Sequence, residues 1–217
     1  MKLVRLFRAW FGLPPSRRRQ WLGFLRDLLW TRVVYARRLK ACGRGVIVQK
    51  PLFWTPEFIE LGQSVHLWPG SRFEGVDSYG DQMFAPCLRI GDRTSFQQNC
   101  HVTFAGSLEI GAGCAIMFGA LITDVDHCYA DIEVRVLAQP ILIGTTRIGR
   151  NCFIGAGAKI QAGTVLGDHC IVGANAVVRG HFPDHCVIAG VPARILKLRD
   201  PETGRWETPD PKKDATA

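Results

Sequence analysis

The chain of 217 residues carries 27 Lys or Arg against 19 Asp or Glu, a net charge of +8, and 47% of it is hydrophobic. Its eight cysteines include no C-x-x-C pair, which excludes the common zinc and dithiol signatures and reads as reduced thiols of a cytosolic protein. Twelve of the cations lie in residues 1–45 against Asp27 alone, so this stretch is +11 and the remainder is −3, which makes the first part the partner-seeking one.

Residues 1–45 form the first unit, a basic helical arm. A secretory signal is not expected, because the apolar stretch 9–13 is very short and is followed by Pro14-Pro15 and three arginines, with no small-residue cleavage site. Trp21, Leu22, Phe24, Leu25, Leu28, Leu29, Val33 and Val34 fall on a broad apolar side of a helix with arginines opposite. Arg26, Asp27 and Arg32 interrupt the run, so it does not span a bilayer. Two readings stand: residues 1–40 form an interfacial helix on an anionic membrane leaflet, or the helix caps the first open coil of a solenoid. Nucleic acid is not the expected partner, since the aromatics alternate with aliphatics at helical spacing instead of building a stacking platform.

From about residue 46 the pattern changes. Six sextets open at Ile148, Ile154, Ile160, Leu166, Val172 and Val178, four of them followed by glycine, with small fifth residues at Cys152, Ala158, Thr164, Cys170 and Ala176. An α-helix cannot hold a six-residue period on one face, whereas stacked short strands can. The same grammar runs through Leu61, Leu67 and Phe73, then Ile90, Phe96, Val102 and Leu108, and after a two-residue slip through Ile110, Ile116 and Ile122. This predicts an all-β parallel β-helix over residues 46–197, three sextets to a triangular coil and roughly seven coils. Irregular crossings are expected at residues 76–86 and 128–140, and residues 198–217 read as a flexible tail.

Chemistry is expected where the repeat breaks. Counting on from Ile122, the fifth position is Asp126, a charge that cannot be buried in a dry prism, so the chain must leave the coil there. The excursion begins Thr123-Asp124-Val125-Asp126-His127-Cys128-Tyr129-Ala130-Asp131. A histidine between aspartates on a loop held by a rigid scaffold suits a general base. Trp54, Phe58, Trp68, Phe73 and Tyr79 either fill the core or stack on a sugar. The H-x-x-x-H pair, His181 and His185, reads as structural, and no metal is expected.

The segments 99–131 and 139–197 resemble the hexapeptide-repeat acetyltransferases, in the branch acting on polysaccharide or lipopolysaccharide sugars and related to the galactoside and maltose enzymes. The resemblance rests chiefly on His127-Cys128-Tyr129-Ala130-Asp131, similar to H-x-Y-x-D, and on Ala189-Gly190-Val191-Pro192-Ala193-Arg194, similar to A-G-x-P-A-R/K. It implies a left-handed β-helix, a homotrimer with sites between subunits, and acetyl-CoA as donor to a sugar or glycan. By motif matching it assigns His127 as base, held by Asp126 or Asp131, with Asn99 and Tyr129 toward the acceptor. Ala156 and Ala174 are assigned along the pantetheine and Arg194 near the nucleotide phosphates. Where the family commonly reads V-T-K-D-x-P, the chain has Val178-Arg179-Gly180-His181-Phe182-Pro183, so Arg179 or Lys197 is left to supply the charge of the missing lysine. The resemblance implies a cytoplasmic enzyme, peripheral to the inner face of the membrane if the arm binds there. The alternative is a non-catalytic scaffold or membrane-docked module, which would not need the loop histidine.

Overall fold

The computed structural model describes residues 12 and 14–209. Short parallel strands repeat along three faces. Face 1 runs from Ala41–Cys42 through Ile59–Leu61, Cys87–Ile90, Ser107–Ile110, Arg147–Ile148 and Val165–Leu166 to His181–Phe182. Face 2 runs from Ile47–Val48 to Cys186–Gly190, and face 3 from Phe53–Trp54 to Val177–Val178. The solenoid is a left-handed parallel β-helix.

Stacking follows the repeat. Ile148 pairs with Leu166, Ile154 with Val172 and Ile160 with Val178 in adjacent coils. Each of these is at most 1% exposed. The fifth-position residues point inward too: Thr164 donates its hydroxyl to Gln161 O at 2.6 Å, and Cys114, Cys152 and Cys170 donate to carbonyls of the next coil at 3.1 to 3.2 Å. The cysteines therefore act as small core thiols, and burial pushes Cys100 up to about 11.

The coils begin earlier than the aliphatic pattern indicates. Ala41–Cys42 pairs with Glu60–Leu61, because Cys42 followed by Gly43 takes the place of an aliphatic residue and glycine. The end also differs. Ala193–Arg199 folds back antiparallel on Cys186–Gly190, and Trp206–Glu207 pairs antiparallel with Leu198 and Arg199, so the first half of the expected flexible tail is a hairpin. The Asp200 carboxylate closes its turn by accepting from the N–H groups of Glu202 and Thr203. The rest of that tail, residues 210–217, lies outside the described residues, as do residues 1–11 of the arm.

Helix α1, Pro15–Val33, crosses the open edge of the first coil. Its buried residues are Asp27 and Thr31, not the apolar set. Thr31 Oγ1 accepts from Val48 N at 2.9 Å, and the Asp27 carboxylate accepts from Gln49 Nε2 at 2.8 Å. An unpaired strand edge offers backbone donors and acceptors, so the helix covering it presents polar atoms. The helix caps the coil, one of the two readings expected; the side opposite Leu22, Leu25 and Leu29 carries Asp27 and Thr31 rather than arginines, and the apolar stripe itself is exposed. No described helix is long and apolar enough to cross a membrane.

Candidate active site

The three irregularities that interrupt the middle coils all fall at the corner between faces 3 and 1. Between Arg72–Gly75 and Cys87–Ile90 stands a hairpin, Ser78–Tyr79 with Gln82–Met83. One coil on, Ala105 and Gly106 make the slip, and the next crossing is the excursion whose strands Val125–His127 and Ile141–Ile143 pair antiparallel. The three corners are stacked, so the excursions lie against one another.

The site is mounted by the residue that anchors the excursion. Asp124 is 0% exposed, and its two carboxylate oxygens each accept a backbone N–H, from Ala105 and Gly106, at 2.9 Å. Burial holds its pKa above the usual carboxylate range, and the two N–H donors offset part of that. A Cβ at Gly106 would stand 2.7 Å from Ile143 Cγ2, so the excursion packs closely on this position and a side chain here would make Ile143 shift. At the far end Thr146 Oγ1 donates to Thr123 O at 3.0 Å. Both ends of the excursion are thus bound to the coil, and Ile110, Ile116 and Ile122 still meet Ile148, Ile154 and Ile160 in register.

Two further contacts join the loops. Gln82 bonds both backbone groups of Ile141, accepting its N–H at 2.8 Å and donating to its carbonyl at 3.2 Å. Tyr79 donates its hydroxyl to Leu137 O at 2.8 Å. The loop tip is ordered by Gln139, 5% exposed, which donates to Asp131 O and Val134 O and accepts from Asp131 N.

His127 sits where the loops meet. Its ring stands edge-on to Tyr79 at 5.8 Å between centroids, and its Nδ1 is buried without a hydrogen-bond partner among the described residues. The carboxylates expected beside it are engaged elsewhere. Asp126 pairs with Arg179 at 2.9 Å and accepts the His127 backbone N–H, while Asp131 accepts from Glu133 N. Tyr129 is 76% exposed. A cleft of about 240 Å³ adjoins the mount, lined by Thr123, Asp126, Lys159, Gln161 and Arg179 among others.

The remaining candidates stand elsewhere. Asn99, Ala156 and Ala174 share the corner between faces 2 and 3 in different coils, all exposed. Asn99 is left-handed at φ 59°, and its side-chain oxygen fills the space over Gly70 that a Cβ would take. Arg194 and Lys197 lie on the returning strand Ala193–Arg199. Face 3 separates His127 from Asn99, Ala156 and Ala174, so one chain does not bring the two groups together. At Gly180 the backbone takes φ 113°, which an L-residue rarely adopts, so the missing lysine coincides with a glycine-only geometry. Among the described residues no cluster of three His, Cys, Asp or Glu could hold a metal ion.

Sequence reasoning missed Asp124, Gln82 and Gln139. It placed the troublesome charge at Asp126 by extending the six-residue count, whereas the chain turns two residues sooner. It weighed Tyr79 as a sugar platform or core filler, and the ring packs on His127.

A profile of bacterial transferase hexapeptide proteins (six repeats) matches residues 145–180. Galactoside O-acetyltransferase of Escherichia coli is 38% identical over 147 residues, covering 58% of this chain and 70% of that protein. WbbJ of Escherichia coli, named for O-acetyl transfer in lipopolysaccharide biosynthesis, is 29% identical over 195 residues, 84% of this chain and 90% of its own. An acetyltransferase-like protein of Mycobacterium tuberculosis is 29% identical over 168 residues, and this chain spans about half of its length, 52%. Among solved folds, galactoside acetyltransferase in complex with coenzyme A superposes with a TM-score of 0.59 at 17% identity, over 95% of this chain and 83% of that one. A hexapeptide-repeat acetyltransferase of Vibrio cholerae gives 0.55 at 20% identity, over 79% and 81%.

Proposed function

The chain belongs to the hexapeptide-repeat acetyltransferases, and from that membership we propose that it transfers an acetyl group from acetyl-CoA to a sugar hydroxyl, in a lipopolysaccharide or related glycan. The observation that carries this reading is the mount of His127: an imidazole held between two excursions, Nδ1 buried and Tyr79 against its edge. That leaves Nε2 as the nitrogen that meets an incoming hydroxyl.

In the reaction, Nε2 of His127 takes the proton of the acceptor hydroxyl as its oxygen bonds to the thioester carbonyl carbon. The tetrahedral species collapses with cleavage of the C–S bond, and the imidazolium returns the proton to the leaving thiolate. No residue of the chain is acylated. Asp126 and Asp131 act through the backbone of the loop, Asp126 by fixing the His127 N–H, so they are positioning residues in this scheme.

The donor suits the other corner. Ala156 and Ala174 are small and exposed one coil apart, which leaves a slot for a thin pantetheine chain, and Arg194 and Lys197 offer cations for its phosphates. Asn99 and Tyr129 are exposed toward an acceptor. Because the two groups occupy different corners of one prism, a neighbouring copy has to bring its corner beside the His127 loop, and a homotrimer of parallel prisms closes three such clefts. Use of acetyl-CoA places the reaction in the cytoplasm.

The experiment is thiol release from acetyl-CoA, screened against simple sugars and lipid-linked glycans, for the wild-type chain and His127→Ala. The variant is expected to keep its circular dichroism spectrum and lose turnover by about 10² to 10⁴ fold. Wild-type turnover in the variant overturns the assignment.

A further inference from the structure

Helix α1 meets the solenoid with polar residues and turns aliphatic ones away from it. Leu22, Leu25, Leu29 and Val33 recur at helical spacing along one stripe, and they are 56%, 42%, 64% and 47% exposed, against 8% for Asp27 and 2% for Thr31. A helix covering an apolar core would show the reverse. The charge on this surface has one sign. Arg17, Arg19 and Arg32 are exposed and have no ion-pair partner among the described residues, and the helix's one acidic residue, Asp27, is buried and bonded to Arg26 and Gln49.

We propose that α1 is an in-plane anchor that seats the first-coil end of the solenoid on an anionic lipid surface. The leucines enter the boundary between headgroups and acyl chains, and the guanidinium groups bind lipid phosphates. A bilayer of anionic lipid supplies both complements at once, an apolar layer and negative charge. A second copy of the same helix would oppose arginine to arginine. The position agrees, since α1 lies across the end of the prism, where the stack of coils stops, and it is too charged to cross. The sequence before it repeats the composition, with Lys2, Arg5 and Arg8 among Leu3, Val4, Leu6, Phe7 and Trp10. The inference stands on the helix and is independent of the acetyl-transfer reading.

The test is flotation of the full chain with phosphatidylcholine vesicles, with and without phosphatidylglycerol, at low salt. The wild-type chain is expected to float only with the anionic vesicles. Leu22→Ser, Leu25→Ser and Leu29→Ser together remove binding, with an unchanged melting temperature because these side chains are solvated. Arg17→Gln, Arg19→Gln and Arg32→Gln together keep the stripe and weaken partitioning by about 100-fold, roughly fivefold for each arginine. Failure of the wild-type chain to float overturns the proposal, as does equal flotation of the serine variant. A serine variant that still floats but sediments as a smaller oligomer than wild type assigns the stripe to a second copy and also overturns it. If the serine variant does not fold, the arginine variant decides: unchanged partitioning overturns the proposal.

Discussion

Asp126 and Arg179 are bound at 2.9 Å across the cleft beside the loop that bears His127, joining the root of the excursion to the end of face 3 two coils on. The pair is exposed, with side chains 40% and 61% accessible, so its contribution to folding is about 0 to 1 kcal/mol. Its consequence is positional. Arg179→Ala is expected to lower kcat by freeing the loop that carries His127, with the KM for acetyl-CoA little changed. Steady-state kinetics with varied donor decides, and a rise in KM alone would return Arg179 to the donor site.

Asp124 is the internal anchor. Replacing it with alanine leaves the N–H groups of Ala105 and Gly106 unpaired and is expected to cost about 1 to 3 kcal/mol in urea unfolding, with a larger loss of activity than of stability.

The same residue sets a pH dependence. Burial raises its folded-state pKa above the unfolded value of about 3.9, so the folded chain binds this proton more tightly than the unfolded one. Its contribution to stability is therefore greatest at acid pH and falls as pH rises from about 3.9 until Asp124 ionises in the fold. Unfolding free energy measured as a function of pH for wild type and Asp124→Asn should show a steeper decline with rising pH in wild type over that window. Parallel curves would contradict it.

Gly180→Lys restores the residue type common in the family at a place whose backbone, φ 113°, strains any side chain. The variant is expected to lose about 1 to 3 kcal/mol of stability, without tighter binding of acetyl-CoA in calorimetry.

Ile160, at 0% exposure between Ile122 and Val178, is a coil-to-coil contact of the inner stack. Ile160→Ala should cost about 2 to 5 kcal/mol, read from the urea midpoint.

The inner lining was legible because its signal is volume and polarity at a fixed period, and Ile148 through Val178 carry it without interruption. It faded at Cys42, where a thiol replaces an aliphatic residue and the same geometry leaves no aliphatic mark. The break at residues 128–140 was legible as a departure from period, but its anchor was not, because Asp124 is fixed by backbone N–H groups from another coil and those have no sequence signature. The contact side of α1 was not legible for a related reason: helical spacing marks an apolar side but not which side meets the solenoid, and the open backbone edge there takes Asp27 and Thr31. The assignment of Asn99, Ala156 and Ala174 to one corner required knowing which sextet becomes which face, a matter of phase that period alone does not carry.

The excursion that bears His127 departs and returns without disturbing the pairing of Ile122 with Ile160, and the hairpin bearing Tyr79 leaves the pairing of Phe73 with Val102 equally intact. Scaffold and chemistry are therefore separable by mutation. Lengthening either insert adds a closure entropy that grows only logarithmically, about 0.6 kcal/mol per doubling, so evolution can rewrite the inserted segments one after another while the load-carrying prism keeps its sequence.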